Sequence, residues 1–576
     1  MSGPIWRGPE PQPRLGQPTL APRPAGLVSA HPATTASWRP CTSPRVESGA
    51  LVDDHSRYIL AIDLGTGGPK VALADTDGGI VGHEVESNRL LLGGGGAAEQ
   101  DPEEWWSSIV TAARRLMARS LVPAESIIAV SVTAQWMGTV AVDAAGSHLH
   151  NALIWMDARG APYARALAGG PLRVAGYDPR KIRKWLRYTA GAPSLTGKDS
   201  LGHMLWFKNE LPEVYEATDT FLEPMDYLNM RLTGRKAASF DTIAGTWVAD
   251  IRDLTEVAYV PELLDLAGID GGKLPELVPT GSVLGTVQPE VARRLGIPPT
   301  AQVVTGTPDT NSAAVGSGAV EDRAAHLYVG TSSWLSCHVG EKKTDVLHTI
   351  TTLPSGVPGR YLVACEQDTA GACLTHLVDN VLYPDDHLSV VDAPEDALEL
   401  LNETAAGVPP GAGGVIYTPW LNGERTPVDD HVTRGGFFNL SLTTNRAHLV
   451  RAVFEGVAYN TRWMHSYVEK FAGCRFEAVT FVGGGAQSDL WCQLMADVLD
   501  RPVRQAREPR LANARGAAIM ASAALGRLDW AEVPDKVETL RTYLPEPSNR
   551  EVYDRQYRSF LALYKKNKGV YARLNR

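Results

Sequence analysis

The chain reads as an α/β protein of at least two large domains, and three observations predict this. Its 576 residues exceed what one hydrophobic core usually sustains. Several β-like apolar runs end in glycine loops that carry carboxylates or hydroxyls: Asp63-Leu64-Gly65-Thr66-Gly67-Gly68, Gly306-Thr307-Pro308-Asp309, Gly330-Thr331-Ser332-Ser333 and Gly483-Gly484-Gly485-Ala486. The early element order is strand, strand, strand, helix, strand, which differs from a dinucleotide fold with a crossover helix after each early strand.

Tyr58 to Asp63 and Lys70 to Asp75 predict two strands joined through the glycine turn, and Asp77-Gly78-Gly79 turns into a third from Ile80. Asp101-Pro102-Glu103-Glu104 supplies a capping carboxylate, proline at the first helical position and acids in the first turn, so a helix carrying Trp105, Trp106 and Ile109 starts there. Ile127 to Val132 predicts a buried strand, with Thr139 to Val142 and Ala152 to Trp155 flanking a hairpin-like segment. A similar order restarts near Ala301: a strand at Val303-Val304-Thr305, a short helix at Ala313 to Gly318 and a strand at His326 to Val329. The boundary is placed at Pro298-Pro299, giving domains 57–300 and 301–576, with Gly407 to Gly414 a second break. Residues 1–56 are a Pro-rich extension with too few bulky apolar residues to bury a core. Leu449 to Phe471 keeps helical spacing and predicts a core-facing helix. Phe481-Val482, the triple glycine and the apolar face from Leu490 to Leu499 predict strand, loop and helix, an order that presents backbone N–H groups to an anion.

The net charge of -10 is modest for this length, and no basic tract suits a nucleic-acid backbone. The six cysteines are sparse, without paired-ligand spacing, and read as reduced thiols of a cytoplasmic protein. No apolar stretch has the length of a membrane span, and the start carries no secretion signal. Neither nucleic acid nor a membrane is an expected partner.

Asp63 is a candidate magnesium ligand, with Gly65, Thr66 and Gly67 facing phosphate; an ordinary tight hairpin is the alternative. Asp309 follows a strand and a glycine, where a carboxylate can orient a hydroxyl and take its proton; helix capping is the competing role. Gly330, Thr331 and Ser332 offer amides and hydroxyls to a γ-phosphate, and Gly483, Gly484, Gly485 and Ala486 can expose N–H groups to an anion or let a nucleotide approach the backbone closely. Trp155, Asp157 and Arg159 alternate, sharing one side if the strand continues, which suits a polyol; a surface salt bridge beside a core tryptophan is the alternative. Gln135, Trp136 and Met137 form a second substrate wall, with Gln135 its polar member. Gly191 to Asp199 superficially resembles a P-loop but has one residue too many between its glycines and an aspartate after the lysine.

In this order the motifs resemble the FGGY carbohydrate kinases, especially the xylulokinase-like branch, from about Tyr58 to at least Leu525. Asp63-Leu64-Gly65-Thr66 and Gly330-Thr331-Ser332-Ser333 resemble the two phosphate loops. Ser200 to Glu210 resembles the first family signature, and Gly435 to Leu440 with His448-Leu449 and Phe454-Glu455-Gly456 the second. The resemblance implies two actin-like (ribonuclease H-like) ATPase domains flanking a catalytic cleft that closes on Mg-ATP and a sugar or polyol. It implies Asp309 as general base, Asp63 organising Mg²⁺ through water, Gly483-Gly484-Gly485-Ala486 lining the nucleoside side, and D-xylulose phosphorylated at its 5-hydroxyl. It also implies that Asn422 to Pro427 lies near the cleft, where Glu424 and Arg425 read as a local salt bridge. A homodimer is one assembly consistent with the family. Departures concern the acceptor: Gln135-Trp136-Met137-Gly138 stands where xylulokinases typically carry Gln-Met-His-Gly, and Thr310 where they often carry asparagine. Gly67, His203 and Asn439 also depart. D-ribulose, another ketopentose or a small alditol is the alternative acceptor, and an ATP-switched binding protein or a silent sugar sensor the alternative of another class.

Overall fold

The computed structural model describes residues 57–575 apart from 175, 389 and 390, so the Pro-rich extension and Cys41 lie outside the described residues. The first sheet is built from β1 (Tyr58–Gly65), β2 (Gly68–Asp75), β3 (Ile80–Val85), β4 (Ile127–Ala134), β5 (Val283–Thr286) and β6 (Gln302–Val304). Their spatial order is β5-β6-β4-β1-β2-β3. The first three strands pair antiparallel, whereas β4 runs parallel to β1 on one side and to β6 on the other.

Strand alternation divides the labour of β1. Leu60, Ile62 and Leu64 face helix α1 (Pro102–Ala118), whose Trp105, Trp106 and Ile109 fill that core. Asp101 caps α1 by accepting from the Glu103 amide, with Pro102 in its first turn. Ile59 and Ala61, and hence Asp63, belong to the opposite face.

The second sheet repeats the pattern. It contains β7 (Ala325–Val329), β8 (Ser333–Val339), β9 (Thr344–Asp345), β10 (Ile350–Pro354), β11 (Tyr361–Ala364), β12 (Glu366–Gln367), β13 (Val479–Val482), β14 (Val503–Ala506) and β15 (Thr539–Tyr543). The order is β9-β10-β11-β8-β7-β13-β14-β15, with β12 on β8. Again an antiparallel hairpin, β7–β8, is followed by two parallel strands, β13 and β14. This duplicated antiparallel-then-parallel sheet is the ribonuclease H-like pair of domains anticipated above. The 27-residue helix Arg446–Ala472 packs Val450, Val453, Phe454 and Val457 into the second core beside Trp491 and Leu494 of Asp489–Leu499.

Two expectations are corrected. The strand after Pro298-Pro299 does not open a second sheet: β6 pairs with β4 and closes the first, so the change of sheet falls between Val304 and Ala325. A strand, a glycine loop and a short small-residue helix follow the prolines, which is why the local pattern reads as a restart. The flanks of the supposed hairpin share a single bridge, Thr139 to Leu153, because Val140–Val142 pairs instead with Thr220–Leu222.

Helices α2 (Asp309–Gly316) and α3 (Ala512–Ala524) cross where both carry glycine. A Cβ on Gly316 would lie 1.8 Å from the Ala512 carbonyl oxygen, and one on Gly516 2.0 Å from that of Ser312. The other side of α3 lays Ala514, Ala517, Ala518 and Ala521 on Ile59, Ala61, Ala72 and Ala129, so α3 bridges α2 and the first sheet. Gly516→Ala gains about 1 kcal/mol of helix propensity but forces a backbone clash costing about 1–3 kcal/mol or more. The clash dominates, and the urea midpoint should fall; a midpoint at or above wild type would show that the crossing relaxes freely.

Candidate active site

Asp63 stands near the exit of β1, 1% exposed, on the face covered by α3. Its Oδ2 accepts from Lys70 Nζ at 2.8 Å, and its Oδ1 lies 3.5 Å from the Asn513 amide. Lys70 reaches it because antiparallel register places the two residues opposite each other. Burial alone would lower the ammonium's pKa, but the Asp63 carboxylate outweighs it and the net shift is upward.

The turn after Asp63 is held from below. Gln100 Nε2 donates to the Thr66 carbonyl at 2.8 Å, and the Thr66 hydroxyl donates to Gln135 Oε1 at 3.1 Å while accepting from Trp155 Nε1 at 2.9 Å. Gln135 Nε2 donates in turn to Gln100 Oε1 at 2.7 Å. Gln135 is therefore a support of the Gly65–Gly68 turn rather than the polar member of a substrate wall, a correction that follows from its burial at the end of β4. Gly65 and Gly67 keep the turn open, and Gly68, at φ 135°, packs against the Glu86 carbonyl.

Asp309 lies at the start of α2, beyond β6. Gly306 is obligatory on the way, because a Cβ there would stand 1.7 Å from the Val132 carbonyl oxygen. Asp309 is a first-turn residue, with Pro308 at the cap position, and its Oδ1 accepts the Thr310 amide at 2.8 Å. Burial first, and then the neighbouring Asp63 charge, push its carboxyl up to about 7, against the Thr310 N–H, which pulls it down. A carboxylate poised near neutrality beside an open loop is suited to taking a proton. Thr310 is half-buried beside it.

From the second lobe, the β7–β8 turn presents Thr331 and Ser332. Gly330 N donates to Ser332 O, and the Gly330 and Thr331 carbonyls accept from Gly371 and Ala370. Tyr328 and Trp334 stack at 3.9 Å across the hairpin. Gly483 adopts φ 89°, donates to Pro509 O at 2.9 Å and packs on Val329, as does Gly485; Gly484 faces open space. Ala486 is fully buried.

The acceptor side differs from expectation. The strand ends at Leu153, so Trp155, Asp157 and Arg159 share no strand face. Trp155 turns to Thr66. Asp157 accepts from the Ala98 amide and from Arg159, while Arg159 also pairs with Glu99 at 2.6 Å and lies over Trp206. The pair is thus a closed internal ion network, the salt-bridge alternative. Trp136 and Met137, by contrast, are half-buried after β4; Trp136 Nε1 donates to Thr242 O at 3.0 Å, and Met137 takes φ 58°. His203 is fully buried, bonded to Thr139 and the Asp157 carbonyl, and burial pushes it down to about 4.

The Arg425 guanidinium does not pair with Glu424, whose Oε1 accepts instead from the Arg425 backbone amide at 2.8 Å. The Arg425 fork holds Glu366 and Asp368, while Glu424 is buried against Asn460, so the local salt bridge is replaced by one spanning about sixty residues of chain. The Glu366 charge bears on Asp309, and Lys198, the lysine of the false P-loop, faces Glu366, Asp368 and Arg425 with no hydrogen bond or ion pair among the described residues. Sequence reasoning missed Gln100, Glu366 and Asp368, which carry no motif of their own.

Comparison with known proteins is consistent with this geometry. The FGGY N-terminal domain model matches residues 58–316, past the Pro298-Pro299 break and through α2, and the FGGY C-terminal domain model matches 325–525. The chain is 28% identical over 516 residues to a xylulose kinase of Bacillus subtilis, covering 88% of this chain and 96% of that one. It is 29% identical over 514 residues to a glycerol kinase of Halorhodospira halophila, covering 88% and 95%. The crystal structure of a xylulose kinase from Rhodospirillum rubrum superposes with a TM-score of 0.74 at 27% identity, over 90% of this chain and all of that one. With two lobes, paired hairpin turns and a carboxylate poised between them, the chain belongs to the FGGY family of carbohydrate kinases, enzymes that transfer phosphate from ATP to a carbohydrate or polyol.

Proposed function

We propose that the protein phosphorylates D-xylulose, forming D-xylulose 5-phosphate and ADP, with Asp309 as general base. The half-buried Asp309 carboxyl, raised to about 7 beside Asp63, carries the catalytic part of this reading; the xylulose kinases among the relatives support the acceptor. The acceptor hydroxyl oxygen attacks the γ-phosphorus of ATP as the bond to the β,γ-bridging oxygen breaks, and Asp309 takes the hydroxyl proton. Amides and hydroxyls of Gly65 to Gly67 and Gly330 to Ser332 hold phosphate oxygens, and Gly484 admits the nucleoside side against its backbone. Lys70, released from Asp63 as phosphate arrives, adds positive charge.

The donor set fits a hydrated magnesium ion arriving with ATP. Asp63 would hold it through water with its buried carboxylate, which leaves Asp309 for the acceptor proton. Such an ion offsets phosphate charge when bound. A second acceptor reading, another ketopentose or a small alditol, is favoured by the Trp136-Met137 wall, which lacks the imidazole typical of xylulokinases. No helix among the described residues is long and apolar enough to cross a membrane.

ADP and phosphorylated product should appear together with D-xylulose and be lost in Asp309→Asn. Preference for D-ribulose, glycerol or an alditol would replace the acceptor and keep the mechanism, and absence of product from every sugar and polyol would end the kinase reading. The kcat/KM for the acceptor should rise with pH through about 7 and then level; a profile flat for a unit on either side would remove Asp309 as the titrating base.

The same shift sets a stability test. A folded pKa raised above the ordinary 3.8 costs stability that is absent below the unfolded pKa and complete above the folded value. Asp309→Asn should therefore melt higher than wild type at ~pH 8, with the gap closing toward ~pH 4. An equal gap at both values would contradict the half-buried, charge-repelled carboxylate.

A further inference from the structure

A ring of hydrogen bonds joins the Trp136 wall to the Asp309 loop. Trp136 Nε1 donates to Thr242 O at 3.0 Å, and the Thr242 amide donates to Asp241 Oδ1, also at 3.0 Å. The Thr307 hydroxyl donates to Asp241 Oδ2. The Thr133 hydroxyl donates to Thr307 O at 2.8 Å, and Thr133 lies on β4, whose exit leads straight into Trp136. The ring thus closes through the chain itself.

Asp241 is its centre. The carboxylate is 1% exposed, accepts the Ser239 hydroxyl at 2.5 Å and lies 3.5 Å from the Asn311 amide. Thr307 and Asn311 bracket Asp309 in the sequence, and Asn311 also donates to Pro354 O of β10 at 3.2 Å. Gly245, in the turn that Asp241 opens, admits the indole: a Cβ there would lie 3.3 Å from Trp136 Nε1. One buried carboxylate therefore holds both the residues around the base and the turn beneath the wall.

Building on the kinase reading above, we propose that Asp241 is a positioning residue that fixes the separation of Asp309 from the Trp136 wall and so selects which acceptor hydroxyl stands at the base. The hydroxyls of a sugar are chemically alike, so selection rests on where its carbon chain lies relative to the base. A shift of about 1 Å between the two costs on the order of 100-fold in rate.

The test uses Thr307→Val, which removes one donor at nearly constant volume, Thr307→Ser, which restores it, and Asp241→Asn, each with the acceptor that wild type phosphorylates best. Thr307→Val and Asp241→Asn should lower kcat by about 10- to 100-fold, leave the KM for ATP unchanged, and yield mixed phosphate regioisomers by phosphorus NMR. Thr307→Ser should recover wild-type rate and regiochemistry. Trp136→Phe combined with Thr307→Val should lose no more than the worse single variant, since both break one ring. Hydrogen exchange gives a readout independent of turnover: amides of 135–138 and 305–311 should quicken together in Thr307→Val, while those of α1 keep their protection. Wild-type kcat and a single regioisomer in Thr307→Val, or faster exchange in only one of the two segments, would overturn the assignment. A wild-type protein that phosphorylates nothing would instead defeat the kinase reading, and the exchange data would still decide whether the ring couples the two segments.

Discussion

Parallel pairing of β4 with β1 and with β6 is the constraint on which the site depends. Parallel strands deliver their exits to the same edge of a sheet. The turn after Asp63, the Trp136-Met137 segment and the Asp309 loop therefore meet at one place, although the two aspartates are 246 positions apart in the chain. The second sheet repeats the arrangement, with the β7–β8 turn and the loop after β13 in the corresponding positions. Two copies of one strand order thus give a glycine turn from each lobe.

Electrostatics then distinguish two aspartates of similar surroundings. Asp63 has a lysine at 2.8 Å across the hairpin. Asp309 has the Thr310 amide and, more weakly, the Lys70 charge against burial and the charges of Asp63 and Glu366, and its carboxyl rises to about 7. The unfavourable proximity is tolerable because each lies on an element fixed elsewhere: Asp63 by the sheet, and Asp309 by α2, which the Gly316–Gly516 crossing holds against α3. A strained charge on rigid supports is how a fold stores reactivity at a cost in stability.

Local chemistry made much of this legible. The hairpin through Gly65–Gly68, the capped start of α1, the core helix Arg446–Ala472 and the strand–glycine–helix order around Gly483 follow from turn residues, capping residues and apolar spacing within a few positions. Asp63, Asp309 and the glycine turns stand out in the sequence for the same reason: each lies at or within a few residues of the end of an apolar strand.

Partner choice was decided only by tertiary structure. Nothing near Gln135 in the chain indicates that its amide is committed to Thr66 and Gln100, and nothing beside Arg425 points to Glu366 and Asp368 rather than the adjacent Glu424. The alternation of Trp155, Asp157 and Arg159 lost its meaning once the strand ended at Leu153, because a period of two fixes a face only where a ladder continues. Likewise, β6 resembled the start of a new domain, and only its hydrogen bonds to β4 assign it to the first sheet. The sequence by itself determined which residues are chemically able and which local turns present them; the fold decided which remain free to act, since a hydrogen-bonding group has few partners and long-range packing selects them.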